Sequence, residues 1–172
     1  MHLNIEIKAY CSDLSKIREL LKARNADSKG LDHQIDTYFN CTHGRLKLRE
    51  GNIENALIHY QRQNLEGPKR SDVILYKSNP ESSLKKLLTA SLGVLTVIDK
   101  KREIYFIDNV KFHLDEVNEL GTFIEIEAID TALEIGEIKL MQQCNQYIDL
   151  FEIAKEDLIA DSYSDLLLNT SI

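Results

Sequence analysis

The chain has 172 residues, 28% of them charged, and a formal net charge of -7. That length fits one domain spanning residues 1–172, and the acid surplus argues against a nucleic-acid coat or an anionic-membrane binder, so any basic site must be local. No apolar run approaches a transmembrane helix, and the chain enters a strand-like pattern by Leu3 with no signal-peptide core, which predicts a cytoplasmic location.

A strand over Asn4-Ile5-Glu6-Ile7-Lys8 opens the pattern. A helix from Asp13 to Ala23 follows, with Leu14, Ile17, Leu20 and Leu21 at helical spacing and Ser12 or Asp13 as N-cap. Asp36 to Phe39 reads as a strand, and Gly44 and Gly51 bracket the basic strand Arg45-Leu46-Lys47-Leu48-Arg49. Ala56 to Gln63 is a further strand, Leu65 to Arg70 a turn or loop holding Gly67-Pro68, and Val73 to Tyr76 resumes the sheet. Pro80 precedes a second helix marked by Leu84, Leu87, Leu88 and Leu92, with Gly93 as its C-terminal cap. Strands are expected at Val94–Ile98, Glu103–Ile107, Val110–Leu114 and Thr122–Ala128, and a mostly helical stretch from Thr131 to Ile172. The order strand, helix, several strands thus occurs twice, which suggests a two-fold pseudo-repeat. The expected class is α+β: an antiparallel barrel of about eight strands with helices packed outside.

Residues two apart in a strand share a face, so Arg45, Lys47 and Arg49 form a cationic stripe opposite Leu46 and Leu48. Glu125 and Glu127 share a face in the same way, opposite Ile124 and Ile126. A half-buried strand whose polar face meets water shows the same alternation, but such a face usually mixes signs. One purely basic and one purely acidic stretch favour a site. If the charged faces line a lumen, like charges repel by on the order of 4 kcal/mol per close pair at intermediate dielectric. Such an interior calls for a polyanion and a divalent cation.

Taken together, these segments resemble the CYTH superfamily, named for class IV adenylyl cyclases and thiamine triphosphatases, whose antiparallel β tunnel binds triphosphates. The resemblance runs from Asn4-Ile5-Glu6-Ile7-Lys8, similar to the family's ExExK opening, through Asp36-Thr37-Tyr38-Phe39 and the basic strand. It continues through Lys100-Lys101-Arg102, Leu114-Asp115-Glu116-Val117, Leu120-Gly121 and Glu125-Ile126-Glu127 to Asp161-Ser162-Tyr163-Ser164-Asp165-Leu166-Leu167, similar to an SYxxLL tail. Each motif alone is weak; their order and spacing together are specific. The resemblance implies that Glu6, Asp115, Glu125 and Glu127 hold Mg²⁺ or Mn²⁺, for which hard oxygen ligands are suited. It implies that Lys8, Arg45, Lys47, Arg49, Lys100 and Arg102 bind phosphates, Arg by bidentate contact and Lys by point charge.

The chain departs from the family pattern at three places. Asn4 stands where the first acidic residue of ExExK is expected, a neutral oxygen at best. Tyr60-Gln61 stands where the family often carries a lysine after an aromatic, with Arg62 on the other face from Gln61; the next strand offers only Asp72 as an acid. The histidines show no metal-binding spacing and default to surface or half-buried positions, with His59 a candidate to face the tunnel. Lys69 and Arg70 fall in the expected loop. Cys11, Cys41 and Cys144 lack CxxC spacing, as expected of reduced thiols.

The leading expectation is a metal-dependent enzyme acting on ATP or another triphosphate compound, most readily ATP to cyclic AMP and pyrophosphate. The alternatives are hydrolysis of thiamine triphosphate or inorganic tripolyphosphate, and a noncatalytic nucleotide or polyphosphate binder, which Asn4 and Gln61 motivate. A barrel for an apolar ligand is disfavoured by the charged inward faces. No membrane or nucleic-acid partner is expected, and a homodimer is compatible with the sequence.

Overall fold

The computed structural model describes residues 2–170. Eight strands, β1 (His2–Tyr10), β2 (Asp27–Phe39), β3 (Arg45–Gly51), β4 (Asn55–Arg62), β5 (Lys69–Lys77), β6 (Val94–Ile107), β7 (Val110–Val117) and β8 (Gly121–Asp130), close into a barrel. The order around it is β1-β5-β4-β3-β2-β6-β7-β8, and neighbouring strands are antiparallel throughout. Closure removes free sheet edges and leaves each strand one lumen face and one outer face. The order maps onto itself when β1–β4 are exchanged with β5–β8, so the expected pseudo-repeat is present as topology.

Four helices lie outside: α1 (Leu14–Ala23), α2 (Leu84–Leu92), α3 (Glu137–Leu150) and α4 (Tyr163–Thr170). Asp13 caps α1 by accepting from the Lys16 amide at 3.0 Å, and Ile17 and Leu21 are its buried residues. They join Leu140 and Cys144 of α3 in covering Ile5, Ile7, Ile124 and Ile126, the outer faces of the same strands whose other faces carry Glu6, Lys8, Glu125 and Glu127. The alternation in the sequence is therefore core on one side and lumen on the other. α2 seats Leu88 and Leu84 on Phe39, Leu46 and Leu48.

Two strands are longer than their patterns indicate. β2 begins at Asp27, and its polar first half pairs with β6 across a register shift between Ser28 and Gly30. β6 runs unbroken through Lys100-Lys101-Arg102, where two strands were expected, because Lys100 and Arg102 turn inward onto the carboxylates of Asp36 and Asp115. The expected loop ends sooner as well, since Lys69 and Arg70 already belong to β5. After α3 come a short 3-10 turn at Lys155–Asp157 and an extended link, in which the Ile159 amide donates to the Lys8 carbonyl at 2.9 Å. Among the described residues no helix is long and apolar enough to cross a membrane.

Candidate functional site

The lumen is a cavity of about 650 Å³, within the usual range for small-molecule sites. Lys8, Lys47, Arg49, Lys100, Arg102, Glu6, Glu125 and Glu127 all line it. Arg45 and Asp115 do not.

The basic wall is organised by a carboxylate that was read only as part of a motif. Asp36 has no solvent exposure and accepts from both Nε and Nη2 of Arg49 at 2.9 Å, from Lys47 at 3.0 Å and from Lys100 at 2.7 Å. One anion thus orients three cations. Burial opposes its charge, but Arg49, Lys100 and Lys47 outweigh that and hold the Asp36 carboxyl well below the usual range. Lys100 is pushed well below its ordinary value by burial and then by Arg102, which marks a surplus of positive charge on this wall.

The acidic wall comes from β1, β7 and β8. Glu6 and Glu127 are directly opposite in register, as are Lys8 and Glu125. Glu125 takes Lys8 at 3.2 Å, Arg102 at 2.7 Å and His113 Nδ1 at 3.0 Å. Burial disfavours its charge, yet Arg102 and Lys8 keep its carboxyl well below the usual range. Glu127 is the reverse: burial, reinforced by Glu6 and Glu125, pushes its carboxyl up to about 7. Ligand atoms of His113, Glu125 and Glu127 lie within 4.8 Å of one another, close enough to share a cation. The carboxylates of Glu125 and Glu127, with Glu6 opposite Glu127 in register, supply hard oxygen donors of the kind that suit Mg²⁺ or Mn²⁺.

Asp115 is fully buried outside the cavity, gripping Arg102 through both oxygens at 2.7 and 2.5 Å and accepting from the Tyr163 hydroxyl at 2.7 Å. Its oxygens are spent on aiming Arg102, as those of Asp36 are spent on Arg49. Arg45, at the edge of the barrel, is drawn to Asp165 at 2.7 Å and Asn64 at 3.1 Å instead of to the lumen. That contact belongs to the C-terminal motif. The Ser162 amide donates to Asp165 and the Asp165 amide to Ser162 Oγ, a reciprocal cap for α4 that inserts the buried Tyr163 into the barrel end. Tyr163 packs on Phe123 and lies 3.6 Å below the Lys8 ammonium.

Several site residues were not singled out in the sequence. Arg62 lines the cavity and pairs with Glu6 at 3.2 Å, while Gln61 faces out, so the fourth strand supplies its lumen cation one residue later than the family pattern suggests. His113, expected at or near the surface, is 1% exposed in the lumen and held neutral: burial, then Arg102 and Lys111, push its pKa down to about 3. His59, the candidate for the tunnel, turns outward to the His43 carbonyl at 3.0 Å. Glu54 contacts Arg49 at 3.0 Å and also Lys111, on a turn whose Ile53 and Glu54 amides donate to buried Asp32. Alternation along Lys111-Phe112-His113 was the available signal; nothing local marks a turn residue as lumen-facing. Cys41 is exposed, Cys11 half-buried and Cys144 buried, and all are free thiols.

The cavity changes along its axis. Lys8, Arg62 and Tyr163 stand at the end that α4 closes, whereas Ile53, Leu75 and Phe106 line the cavity away from it together with Glu54, Lys77 and Lys111. That second end is mixed, with apolar side chains among charged ones, and gives a bound polyanion a patch for an uncharged part.

Comparison with known proteins agrees with this geometry. A CYTH domain model matches residues 2–155. A Methanocaldococcus jannaschii protein named a putative adenylate cyclase is 25% identical over 174 residues, covering 95% of this chain and 98% of its own. A solved Pyrococcus horikoshii protein superimposes with a TM-score of 0.73 at 24% identity, covering 96% of this chain and 99% of its own. A Hippeastrum protein, described as a putative adenylyl cyclase with a dominant triphosphatase activity, superimposes with a TM-score of 0.61 at 15% identity, covering 99% and 96%. A charged lumen inside a closed eight-stranded barrel, together with a family match over nearly its whole length, establishes that this chain belongs to the CYTH domain family.

Proposed function

We propose that the barrel is a metal-dependent enzyme acting on a triphosphate compound, with ATP converted to cyclic AMP and pyrophosphate as the first reading. The observation that carries it is the pairing of two unbalanced walls across one cavity: cations held by Asp36 face the cluster of Glu6, Glu125 and Glu127. A phosphate chain would neutralise Lys8, Lys47, Arg49, Lys100 and Arg102, with Arg62 and Lys111 added from the structure. Glu6, Glu125 and Glu127 would hold Mg²⁺ or Mn²⁺, which when bound supplies Lewis-acid polarisation of phosphoryl oxygens. Asp36 and Asp115 are positioning residues that aim Arg49, Lys100 and Arg102 before the ligand arrives, so little reorganisation is needed as charge develops on the leaving phosphate. The neutral His113, hydrogen-bonded to Glu125, has its Nε2 free of any partner among the described residues and offers a hydrogen-bonding atom inside the cavity.

Hydrolysis of a triphosphate is the second reading. It needs the same cradle with water as nucleophile, and the Hippeastrum structure of the same fold is described with triphosphatase activity. Incubation with Mg²⁺ or Mn²⁺ and ATP, thiamine triphosphate or tripolyphosphate, followed by separation of cyclic AMP, pyrophosphate and phosphate, tests both. Cyclic AMP with pyrophosphate supports the first reading and orthophosphate the second. Binding without any product would make the protein a noncatalytic binder.

A further inference from the structure

Flanked in register by Arg62 on one side and Ile129 on the other, two neutral polar residues of the lumen take part in none of the ion pairs of the two walls. Asn4 of β1 and Ser71 of β5 are directly opposite in register, 4% and 0% exposed, and both line the cavity. Opposed residues on one sheet face bring their Cβ atoms to about 5 Å. Asn4 Oδ1 and Ser71 Oγ have no hydrogen-bond partner among the described residues. An unsatisfied buried acceptor is destabilising, so a ligand that supplies the missing donor binds more tightly. Along the strands, Glu6 follows Asn4 on the deep side, His2 and Val73 precede the pair toward Leu75, and Ile129 is directly opposite Asn4 on β8.

Asn4 Oδ1 can only accept, and Ser71 Oγ can donate and accept. A fully ionised phosphate chain offers acceptors alone, so it can meet Asn4 Nδ2 but cannot satisfy Oδ1. A hydroxyl can. Building on the triphosphate reading above, we propose that Asn4 and Ser71 form a subsite for the hydroxyl groups of an organic triphosphate, a ribonucleoside triphosphate with its phosphates deep among the lumen cations and its base on the apolar patch away from α4. Asn4 is then a specificity residue and not a weakened metal ligand. The polarity of the lumen supports that order: cations for phosphates, neutral donors and acceptors for the sugar, and Ile53, Leu75 and Phe106 for a flat base.

The experiment compares binding of ATP, 2′,3′-dideoxy-ATP and tripolyphosphate by calorimetry with Mg²⁺, on the wild type, Asn4→Ala and Ser71→Ala, with thermal melts to confirm folding. The wild type is expected to bind ATP at least tenfold more tightly than the dideoxy analogue, because a site built to pair a hydroxyl rejects a ligand that lacks it. In Asn4→Ala that ratio falls to within twofold and tripolyphosphate affinity stays within twofold of wild type; Ser71→Ala narrows the ratio part of the way. Equal wild-type affinity for ATP and the dideoxy compound overturns the subsite. So does an Asn4→Ala variant that loses Mg²⁺ affinity in direct titration, or one that weakens all three ligands alike. If the wild type binds none of the three, the triphosphate reading itself fails, a result distinct from each of these.

Discussion

The two walls of the lumen carry their charge in different ways. On β2, β3 and β6 the cations Lys47, Arg49 and Lys100 converge on Asp36, a carboxylate with no exposure that stands behind them. On β1, β7 and β8 the carboxylates are not all so matched: Glu125 has Lys8, Arg102 and His113, but Glu127 makes no contact closer than 3.7 Å to His113 Nδ1 among the ion pairs of the described residues. The basic wall is therefore pre-set by a permanent internal anion, and the acidic wall holds a carboxylate with no cation in ion-pair contact, its charge eased only at longer range by Lys111. The difference shows how a fold can keep a cluster of cations in place without a ligand while leaving the anionic half to be completed by one. Burying a charge without a partner costs several kcal/mol, so each wall is stable only to the extent that its internal pairing goes.

The sharpest way to break this contrast is at Asp36. Asp36→Ala leaves Lys47 and Lys100 without their carboxylate and Arg49 with Glu54 alone, and urea denaturation should show a loss of about 3–5 kcal/mol, the range for removing one partner of a buried pair. Tripolyphosphate should restore part of that loss. A cost near zero would mean that the basic wall is not pre-set by Asp36.

A smaller effect is expected when one cation is removed and the anchor kept. At ligand about 100-fold above its dissociation constant, binding to the folded state adds about 2.7 kcal/mol to stability. Arg49→Ala should lose more than half of the shift in melting temperature that tripolyphosphate gives the wild type. An unchanged melting temperature of the wild type at millimolar tripolyphosphate would speak against any phosphate role.

The acidic wall is tested by Glu127→Gln, which keeps shape and removes charge. Calorimetric titration of Mg²⁺ or Mn²⁺ into the ligand-loaded protein should show at least about a tenfold loss of affinity, or about 1.4 kcal/mol. Because Glu127 has no close ion partner to strand, its unfolding free energy without metal should hold or rise, in contrast to Asp36→Ala.

The smallest effect concerns Lys69, which lies outside both walls. Its Nζ donates to the carbonyls of Leu65 and Ile159 at 2.9 and 2.8 Å, and burial, then Arg62, pushes its pKa down to about 8. Between pH 8 and the ordinary lysine value the unfolded chain keeps a proton that the folded chain has lost, so this residue makes stability rise with pH across that window. Lys69→Met should flatten the rise in denaturation midpoints measured from pH 8 to 10. An identical slope in the variant would show that Lys69 stays charged in the fold.

Much of the barrel was legible because its strands obey a period of two. Ile5, Ile7, Ile124 and Ile126 pack under α1 and α3 while Glu6, Lys8, Glu125 and Glu127 face the lumen, so face assignment followed from alternation alone. The same parity placed Lys47 and Arg49 correctly. It failed at Arg45, because parity says which side of a sheet a residue faces and not what stands at the end of the strand; there Asp165 of α4 competes for the guanidinium. At Gln61 and Arg62 the family pattern misleads and parity does not, since parity with Tyr60 puts Arg62 inside. Asp115 faces inward as expected and yet does not reach the cavity, because Arg102 and Tyr163 fill the space in front of it.

Strand-helix order, inward faces and the opposite signs of β3 and β8 follow from the linear pattern, since they depend on local periodicity and on the separation of apolar from charged residues. Which charges meet is set by the folded barrel: Asp36 with Lys100 across 64 positions, Arg45 with Asp165 across 120, and Glu54 with Lys111 across 57. Those pairings depend on barrel closure, which brings distant strands side by side, and on α4 sealing one end. Local pattern carries no information about either, because the energy that selects a counter-charge acts over a few ångströms in space and not along the chain.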